Sequence, residues 1–465
     1  MKTPIIEGLI KYNNEKNIRF HMPGHKGRSI FKLGNLIPEI DVTEVEGTDN
    51  LHNPRDIIKI AQDRASNIYG VKSTLFSING TTAGIYAGIT AVTEPGDEIL
   101  VQRNCHKSVY NAMILGRLKG HYIYPKYDKA NNILTYIDPK EIDNILSYNK
   151  KIKVVVITYP SYFGICSDIE TISKVVHKHN KILIVDEAHG SHLMFNDKLP
   201  ISAEGAGGDI VIQSTHKTLP AYTQSSMVHI NSEKINLDRI KKTMTMYQST
   251  SPSYILMSSI DVAMGYMESE GRDRLKEVLK YIDEFNQKAS KLKGISIFKG
   301  EGNYNFDKTK ILIRATAIGL TGNNLESILR REYNIQLEMA DLYYGLAMVS
   351  VLNEKDDLDR LYLALEDISE KYRDNIKNKS IKNIKYIYPI EEMPIYEAFN
   401  KDGRIVNLQE AKGHVSSDYI IPYPPGVPIL APGEKVTQDI IEYIKEIKET
   451  NIEILGLKDG KISII

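Results

Sequence analysis

The chain has 465 residues, enough for roughly two or three domains built around a sizeable core. Its 59 Lys and Arg residues balance 59 Asp and Glu residues, so the sequence offers no basic field for nucleic acid or for an anionic membrane surface. Hydrophobic residues at 42% and charged residues at 25% are typical of a globular protein and exclude a disordered or fibrous chain.

The cysteine content and the N-terminus indicate where the protein works. Cys105 and Cys166 are too few for a disulfide framework in a chain of this size, so we expect a reducing compartment and a cytoplasmic protein. The N-terminal residues reach Glu7 and Lys11 before an apolar segment develops, and no run of about 18 apolar residues follows. We therefore expect no export signal, no membrane anchor and no membrane partner.

From about residue 70 to 230, short apolar runs alternate with segments of helical period. This alternation predicts parallel strands joined by helical crossovers. The predicted elements are, in chain order, a strand over 73–78, a helix over 81–92, a strand over 98–102, a strand over 154–157, a helix that presents Ile172, Val175 and Val176, and a strand over 181–186.

After about residue 270 the pattern changes. A polar helix over 274–292 leads into a smaller mixed block over 295–368, which includes a strand over 310–313. The lysine-rich stretch 369–385 is interpreted as a solvated linker, because a nucleic-acid patch is at odds with the zero net charge. In the last segment, Tyr423 to Pro428 contains too many prolines for a helix or a central strand, so we expect a rigid loop there.

The chain is therefore divided into four parts. We expect an N-terminal arm over 1–50, a large α/β domain over 51–285, a small α+β domain over 286–370 and a C-terminal domain over 386–465.

Asn79-Gly80-Thr81-Thr82 stands between the first predicted strand and its helix. Free backbone N–H groups, two hydroxyls and the positive end of the helix dipole favour an anion such as phosphate at this point. Taken alone, the motif is explained equally well by Thr81 capping the helix.

Asp186-Glu187-Ala188-His189 ends another predicted strand, where open parallel sheets place their ligands. These letters also occur in helicase-type ATPases, but the chain has no Gly-x-x-x-x-Gly-Lys-Ser/Thr loop for nucleotide phosphates. The glycine run at 205–208 lacks the spacing of a dinucleotide site. Nucleotide binding therefore loses its support.

Ser214-Thr215-His216-Lys217 follows the apolar run at 210–212, which predicts a lysine at the end of a strand. An isolated lysine is ordinarily a solvated surface charge. Here, however, it completes a series with the phosphate-binding turn and the carboxylate of Asp186. Pyridoxal phosphate requires this set, an amine for its aldehyde, an aspartate for its ring nitrogen and donors for its phosphate.

His106, in Cys105-His106-Lys107-Ser108, follows a third predicted strand and is expected to lie flat against the cofactor ring. A hydrogen-bonded structural role and metal binding are the alternatives. His189 and His192 are three residues apart, but no spacing of Cys, His and carboxylate residues completes a tetrahedral site. The sequence therefore predicts no metal.

These motifs resemble the Orn/Lys/Arg decarboxylase family of fold-type-I pyridoxal phosphate enzymes, in its compact form without an N-terminal receiver-like wing domain. The other matching segments are Met22-Pro23-Gly24-His25-Lys26-Gly27, Asp41-Val42-Thr43-Glu44, Gly47-Thr48-Asp49-Asn50-Leu51-His52, Ser249-Thr250-Ser251-Pro252-Ser253-Tyr254, Tyr423 to Pro428 and Pro432-Gly433-Glu434. The resemblance implies an aspartate aminotransferase-like large domain with a mainly parallel sheet, a small α+β domain and a C-terminal decarboxylase domain.

The resemblance also implies roles for single residues. Lys217 would hold the cofactor covalently, Asp186 would pair with the ring nitrogen, and His106 would stack on the ring. The other cofactor-binding positions implied are Gly80, Thr81, Thr82, Ala188, His189, Ser214 and His216, with Thr250 and Ser251 reaching the site across a homodimer interface. Larger members of the family have tryptophan in place of His189, so their substrates are not carried over to this chain.

The implied reaction is decarboxylation of a basic amino acid. We rank arginine first as the substrate, which would give agmatine for polyamine synthesis. Lysine, giving cadaverine, and ornithine, giving putrescine, follow. A cationic substrate requires an acidic partner, and the resemblance points to Glu434 first and Glu410 second. The first alternative is an aminotransferase, in which Arg314 would bind the substrate carboxylate. The second alternative is a protein that binds the cofactor without catalysing a reaction. We expect a homodimer or a larger homo-oligomer.

Overall fold

The computed structural model describes residues 3–30, 34–374, 387–423, 426–448 and 453–465. The N-terminal arm begins with helix α1 (Pro4–Asn14), strand β1 (Ile18–Phe20) and the short helix α2 (Ile37–Ile40). Strand β1 pairs in parallel with residues Ile335–Leu337, far along the chain. The arm is therefore anchored on the small domain.

The large domain contains a central sheet covered by helices. Its strands are β2 (Ser73–Ser77), β3 (Glu98–Gln102), β4 (Lys119–Ile123), β5 (Tyr127–Asp128), β6 (Ile133–Leu134), β7 (Ile152–Thr158), β8 (Ile165–Cys166), β9 (Ile182–Asp186), β10 (Ile210–Gln213) and β11 (Ser226–Ile230). Its helices are α3 (Ile57–Tyr69), α4 (Gly80–Val92), α5 (Lys107–Gly116), α6 (Pro139–Tyr148), α7 (Ile169–Lys178), α8 (Thr215–Thr218), α9 (Leu237–Met246), α10 (Tyr254–Tyr266) and α11 (Arg272–Ala289).

The central sheet has seven strands in the order β2-β11-β10-β9-β7-β3-β4. Strands β10, β9, β7, β3 and β4 run parallel to one another, whereas β11 is antiparallel to both of its neighbours. The mainly parallel sheet predicted from the sequence is confirmed. Because the parallel strands all end at the same edge, the side chains that follow them are brought together there.

Alternate side chains of the strands enter two separate apolar layers. Leu100 and Val185 face the layer that contains α3, α6 and α7, while Ile99 and Ile184 face the layer that contains α4 and α5. Burial on both faces explains why these strands are apolar nearly throughout.

Helices α10 and α11 form one continuous rod. They are joined through a π-helical turn at Met267–Gly271. The helix predicted over 274–292 is confirmed with the bounds of α11, and the expected division between the domains at 285/286 lies inside this helix.

The small domain has a four-stranded antiparallel sheet in the order β12-β14-β17-β16. Its elements are β12 (Ser296–Ile297), β13 (Asn305–Phe306), β14 (Lys310–Arg314), α12 (Gly322–Glu332), β15 (Ile335–Leu337), β16 (Met339–Ala340), β17 (Tyr344–Met348) and α13 (Lys355–Lys371).

The C-terminal domain has a core of its own, built on α15. Two antiparallel pairs, β18 with β21 and β19 with β20, accompany it. Its elements are α14 (Ile395–Phe399), β18 (Arg404–Asn407), β19 (Ile421–Tyr423), α15 (Gln438–Lys448), β20 (Glu453–Leu455) and β21 (Lys461–Ile464).

Two predicted irregular segments are described in part. The linker expected over 369–385 begins inside α13, and its residues from 375 onward lie outside the described part. The loop expected at Tyr423 to Pro428 begins with a residue that closes β19, and positions 424–425 lie outside the described part. Within the described ranges, the helices lack the length and apolar character that crossing a membrane requires.

A buried charge cluster joins the large and small domains. Asp307 lies 3.1 Å from Lys310 Nζ and 3.2 Å from His192 Nε2, and Thr309 Oγ1 lies 3.1 Å from the same ring nitrogen. Although burial acts to raise it, Lys310 and His192 hold the pKa of Asp307 below its usual range. These contacts keep the loop after β9 in register with the small domain.

Gly24 packs directly on the backbone beside α8. A methyl group at this position would lie 2.4 Å from Leu219 O and 2.8 Å from Thr218 C. We expect Gly24→Ala to lower the free energy of unfolding by about 1–3 kcal/mol, because neither backbone atom can move away without displacing α8. Urea unfolding followed by circular dichroism measures the change.

Gly205→Ala is the matched control, because a methyl group at that position would meet described atoms at 3.5 Å and beyond, an ordinary contact distance. It should leave stability unchanged or raise it by up to about 1 kcal/mol. Equal stability of the two variants would contradict the close packing of Gly24.

Candidate active site

A cavity of about 700 Å³ opens at the edge of the large sheet where the parallel strands end. Residues of the large domain, the small domain and the C-terminal domain form its walls. Those used below are Thr81, Arg103, His106, Thr158, Tyr162, Asp186, Ala188, His189, Lys217, Glu338, Asp341, Pro428 and Ile429.

Lys217 lies in α8, one turn beyond β10, and not at the end of a strand as the sequence predicted. The chain turns here because Lys217 N donates to Ser214 O at 3.2 Å, starting the short helix. The side chain faces the cavity, with Nζ 3.0 Å from His189 Nε2. Burial lowers the pKa of Lys217, although Asp186 opposes the shift. The environment thus favours a neutral, nucleophilic amine.

Asp186 is the last residue of β9 and is buried. Its Oδ1 accepts the backbone N–H of Ala188 at 3.2 Å. Burial raises the pKa of Asp186, while Lys217 acts to lower it. A buried carboxylate is stable when a cation pairs with it, so this position suits the protonated nitrogen of an aromatic ring.

The N-terminus of α4 has the form of an anion-binding turn. Its first residue, Gly80, has φ +71°, and its N–H donates to Gln224 O at 2.9 Å. No side chain caps the helix, because the Asn79 amide donates instead to Tyr247 O at 3.3 Å. The N–H groups of the first turn, which includes Thr82, are thus left to an anion.

Two hydroxyls join this turn to the lysine segment. Thr81 Oγ1 lies 3.1 Å from Ser214 Oγ. His216 Nδ1 lies 2.8 Å from Ser225 O, and burial lowers the pKa of His216 to about 4. Thr81 and Ser214, from the α4 turn and the lysine segment, therefore lie side by side.

His106 caps the N-terminus of α5, where its Nδ1 accepts from Ser108 N at 3.2 Å and lies 2.8 Å from Ser108 Oγ. Its ring is among those that line the cavity. Removal from bulk water, assisted by Lys217, lowers the pKa of His106 to about 4, so the imidazole is neutral at physiological pH.

These residues fit pyridoxal phosphate. Two buried polar atoms of cavity-lining residues have no hydrogen-bond partner within the described ranges: Thr158 Oγ1 and His189 Nδ1. Unsatisfied buried polar groups are costly, and a polar ligand removes that cost. Together with the buried acid, the poised amine and the uncapped helix, they make a site for a phosphorylated aromatic aldehyde. No metal-binding group of His, Cys, Asp or Glu side chains is found among the described residues.

Eight predicted residues are not among the described residues that line the cavity: Gly80, Thr82, Ser214, His216, Thr250, Ser251, Glu410 and Glu434. The first four belong to the α4 turn and the lysine segment described above, whereas the other four lie elsewhere. Thr250 and Ser251 are exposed on the single chain. Glu410 is also exposed and accepts from Asn407 Nδ2 at 3.1 Å. Glu434 is buried, but its carboxylate has another partner. The structure does not bring these side chains to Lys217.

Glu434 forms a bidentate ion pair with Arg103. Arg103 Nε donates to Oε1 at 2.9 Å and Nη2 donates to Oε2 at 2.7 Å, with both side chains 2% exposed. Arg103 also donates to Tyr110 Oη at 2.8 Å, to Pro428 O at 2.9 Å and to Ile429 O at 3.3 Å. The pair therefore fixes the cavity-lining loop of the C-terminal domain on the large domain, and Glu434 is not free for a substrate.

Sequence reasoning missed Arg103, Tyr162 and Glu338. Arg103 directly follows the strand predicted over 98–102, so the rule for strand ends would have found it. Glu338 accepts from Tyr162 Oη and from Met22 N, both at 2.7 Å. No local pattern marks Glu338, because it reaches the cavity only through packing of the small domain.

Arg314, the residue on which the aminotransferase alternative depends, is held elsewhere. Its Nε donates to Thr316 Oγ1 at 2.9 Å and its Nη1 donates to Ala130 O at 3.2 Å, while the guanidinium lies over the Tyr344 ring. Arg314 is not among the described residues that line the cavity. The structure therefore forms no arginine clamp for a substrate carboxylate at this position.

Comparison with known proteins gives consistent matches. The chain matches the family model described as Orn/Lys/Arg decarboxylase, major domain, over residues 3–310, and the corresponding C-terminal domain over residues 390–459. An arginine decarboxylase of Bacillus anthracis is 33% identical over 474 residues, covering 98% of this chain and 95% of that protein. An arginine decarboxylase of Bacillus subtilis is 33% identical over 476 residues, covering 100% and 97%.

The fold is also shared with a solved structure. The crystal structure of the lysine decarboxylase LdcF from Francisella novicida matches with a TM-score of 0.82 at 23% identity, covering 99% of this chain and 80% of that chain. At this identity the match shows a common fold.

The Arg103–Glu434 pair predicts a strong effect of truncation. Glu434→Ala leaves the Arg103 guanidinium buried without its anion, so we expect it to lower the free energy of unfolding by about 3–5 kcal/mol. Glu410→Ala is the control, because the exposed carboxylate should contribute no more than about 0.5 kcal/mol. Chemical denaturation of both variants measures the difference. A stable Glu434→Ala protein with a raised KM for the substrate would instead restore Glu434 as a substrate-binding residue.

Proposed function

The chain belongs to the Orn/Lys/Arg decarboxylase family, and on that basis we propose that it converts arginine to agmatine with pyridoxal phosphate bound to Lys217. It is a carboxy-lyase, as the family and the relatives named arginine decarboxylase indicate. The observation that supports our assignment of the cofactor site is the meeting of Asp186, at the end of β9, and Lys217, in α8 just beyond the neighbouring parallel strand β10, in one cavity.

When bound, pyridoxal phosphate supplies a protonated ring that accepts the electron pair left when carbon dioxide departs. Asp186 would keep the ring nitrogen protonated, because a nearby anion favours the charged form. Thr81, Thr82 and Ser214, with the N-terminus of α4, would hold the phosphate. The lowered pKa of Lys217 supplies a neutral amine for covalent attachment.

Neutral His106 would cover the ring without adding a charge that competes with the electron sink. After carbon dioxide has left, a proton must return to the substrate carbon. We propose that Lys217, which lines the cavity, holds and delivers it, because the neutral His106 ring carries no extra proton to give.

Arginine ranks above lysine and ornithine because the relatives at 33% identity that cover nearly the whole chain are named arginine decarboxylases. Its distal cation requires an acidic partner. With Glu434 bound to Arg103, we propose the cavity-lining carboxylates Asp341 and Glu338 for this role in place of Glu434 and Glu410. Burial raises the pKa of Asp341 to about 6, and a bound guanidinium would lower it again.

A substrate panel tests this assignment. Holoenzyme given arginine, lysine or ornithine should release carbon dioxide and the corresponding amine in equal amounts, with no 2-oxo acid. We expect kcat/KM for arginine to exceed that for lysine by at least tenfold, about 1.4 kcal/mol of transition-state discrimination. A tenfold preference for lysine would reverse the substrate order.

Arg314→Ala is the matched variant in this panel. A decarboxylase should keep its kcat/KM within about twofold, because Arg314 does not line the cavity. Formation of 2-oxo acid without carbon dioxide, lost on Arg314→Ala, would establish the aminotransferase instead.

We further propose that the protein forms a homodimer or a larger homo-oligomer in the cytoplasm. Helix α1 has no buried residue, and its apolar side chains are open to solvent: Ile5, Ile6, Leu9 and Ile10 are between 51% and 80% exposed. An apolar helix face of this kind is typical of an interface. Exposed Thr250 and Ser251 would reach the partner's cavity. Both cysteines are buried free thiols, consistent with a reducing compartment.

The interface predicts an effect of charge on assembly. Ile5→Asp combined with Leu9→Asp should shift the protein toward monomer in size-exclusion chromatography with light scattering, because two carboxylates would be desolvated at the contact. Leu363→Asp, the same kind of change on the exposed face of α13, should leave the mass unchanged. A wild-type monomer, or loss of assembly in both variants alike, would contradict an interface through α1.

A further inference from the structure

The loop after β9 presents a ring nitrogen to the reactive lysine. Lys217 Nζ lies 3.0 Å from His189 Nε2, a hydrogen-bond distance. Both residues line the cavity, and His189 is 5% exposed. Asp186 begins this loop, so the ring partner and the imidazole are set by the same short segment.

The loop is fixed by contacts on its inner side. Glu187 N donates to Ile212 O at 2.9 Å, and the Glu187 carboxylate accepts from Ala203 N at 2.8 Å and from Gln213 Nε2 at 2.6 Å. Gly190 N donates to Glu187 O at 2.9 Å. A methyl group at Gly190 would lie 2.5 Å from Glu187 Cγ, so the turn requires glycine. His189 is thus held by a rigid loop.

The other side of the imidazole is also packed. The Tyr162 ring lies against it, with the ring centroids 4.7 Å apart and the planes at 60°. Tyr162 is itself held by the bond from its hydroxyl to Glu338 Oε1. A ring enclosed in this way is preorganised, so Nε2 keeps its direction toward Lys217.

The neutral imidazole of His189 has one acceptor nitrogen. Burial, assisted by Lys217, lowers the pKa of His189 well below its usual range, so the ring carries a single proton. We assign Nε2 as the acceptor of a Lys217 N–H, which the neutral amine and the ammonium can both donate, and the ring proton then resides on Nδ1. Nδ1 is buried and has no hydrogen-bond partner in the described ranges.

We propose that His189 is a positioning residue that holds the ε-amine of Lys217 through Nε2 whenever that amine is not bonded to the cofactor. This inference rests on the proposed function, because it takes Lys217 as the cofactor-binding lysine. During turnover the amine is released when the substrate binds and must return before the next cycle. His189 keeps it beside Asp186 and directed into the cavity, so its return is a local motion.

The test measures how fast the apoenzyme captures pyridoxal phosphate. Absorbance in the 400-nm region follows the reaction, and borohydride reduction with peptide mapping locates the adduct. Three variants at position 189 separate the effect of the acceptor's position from the effect of side-chain volume. Gln places an acceptor about where Nε2 lies, Asn places one about where Nδ1 lies, and Phe keeps ring volume without an acceptor.

We expect His189→Phe and His189→Asn to slow capture by at least about tenfold, because the free amine loses its direction. His189→Gln should restore the rate to within about threefold of wild type. Pyridoxine 5′-phosphate, which has no aldehyde, serves as the control ligand. Its Kd measures what each variant loses in non-covalent binding. Capture rates are therefore compared at saturating pyridoxal phosphate, where only the direction of the amine limits the reaction.

The outcomes separate this inference from the proposed function. Wild-type capture at a residue other than Lys217, or no capture, would overturn the proposed function. Wild-type capture at Lys217 with wild-type rates in the Phe and Asn variants would overturn the role of His189 alone.

A second measurement leaves His189 unchanged. In apoenzyme with nitrogen-15 histidine, Lys217→Met should shift the Nε2 resonance of His189, since the hydrogen bond to that nitrogen is lost. An unchanged resonance would overturn the inference.

Discussion

The parallel pairing of β9 with β10 is the constraint on which the site depends. Ile212 of β10 pairs in register with Asp186 of β9, so the chain leaving β10 enters the cavity beside that carboxylate. The short helix α8 then presents Lys217 to the cavity one turn later. A shift of one strand by one residue would turn that strand's side chains to the opposite face of the sheet, away from those of its neighbour. The acid and the amine are therefore brought together by backbone pairing more than by attraction between them.

Buried charges are handled in two different ways in this molecule. Arg103 and Glu434 are fully paired, and they hold two domains together. Lys217 and Asp186 face the cavity, where their environments shift the pKa of each toward the neutral form. The Arg103–Glu434 pair holds the C-terminal domain on the large domain. Lys217 and Asp186 are instead preorganised for a ligand that supplies the missing charge and hydrogen bonds.

The cavity is a product of three regions of the chain. The large domain supplies the residues expected to hold the cofactor, the small domain supplies Glu338 and Asp341, and the C-terminal domain supplies Pro428 and Ile429. Gly24 of the N-terminal arm supports α8 from outside through the bond from its N–H to His216 O. Contacts between domains thus determine the shape of the substrate end, while the cofactor end lies within one domain.

The sequence by itself determined the parallel α/β domain and the residues at its strand ends, including Asp186, His106 and the segment of Lys217. Apolar period and turn residues act over a few positions, so local patterns are sufficient for these elements. Only the tertiary structure decided that Glu434 binds Arg103, which is 331 residues away in the chain, and that Glu338 enters the cavity. It also placed His189 Nε2 against Lys217. The physical reason is that the partner of a buried charge depends on which distant segments pack together, and no local period encodes that choice.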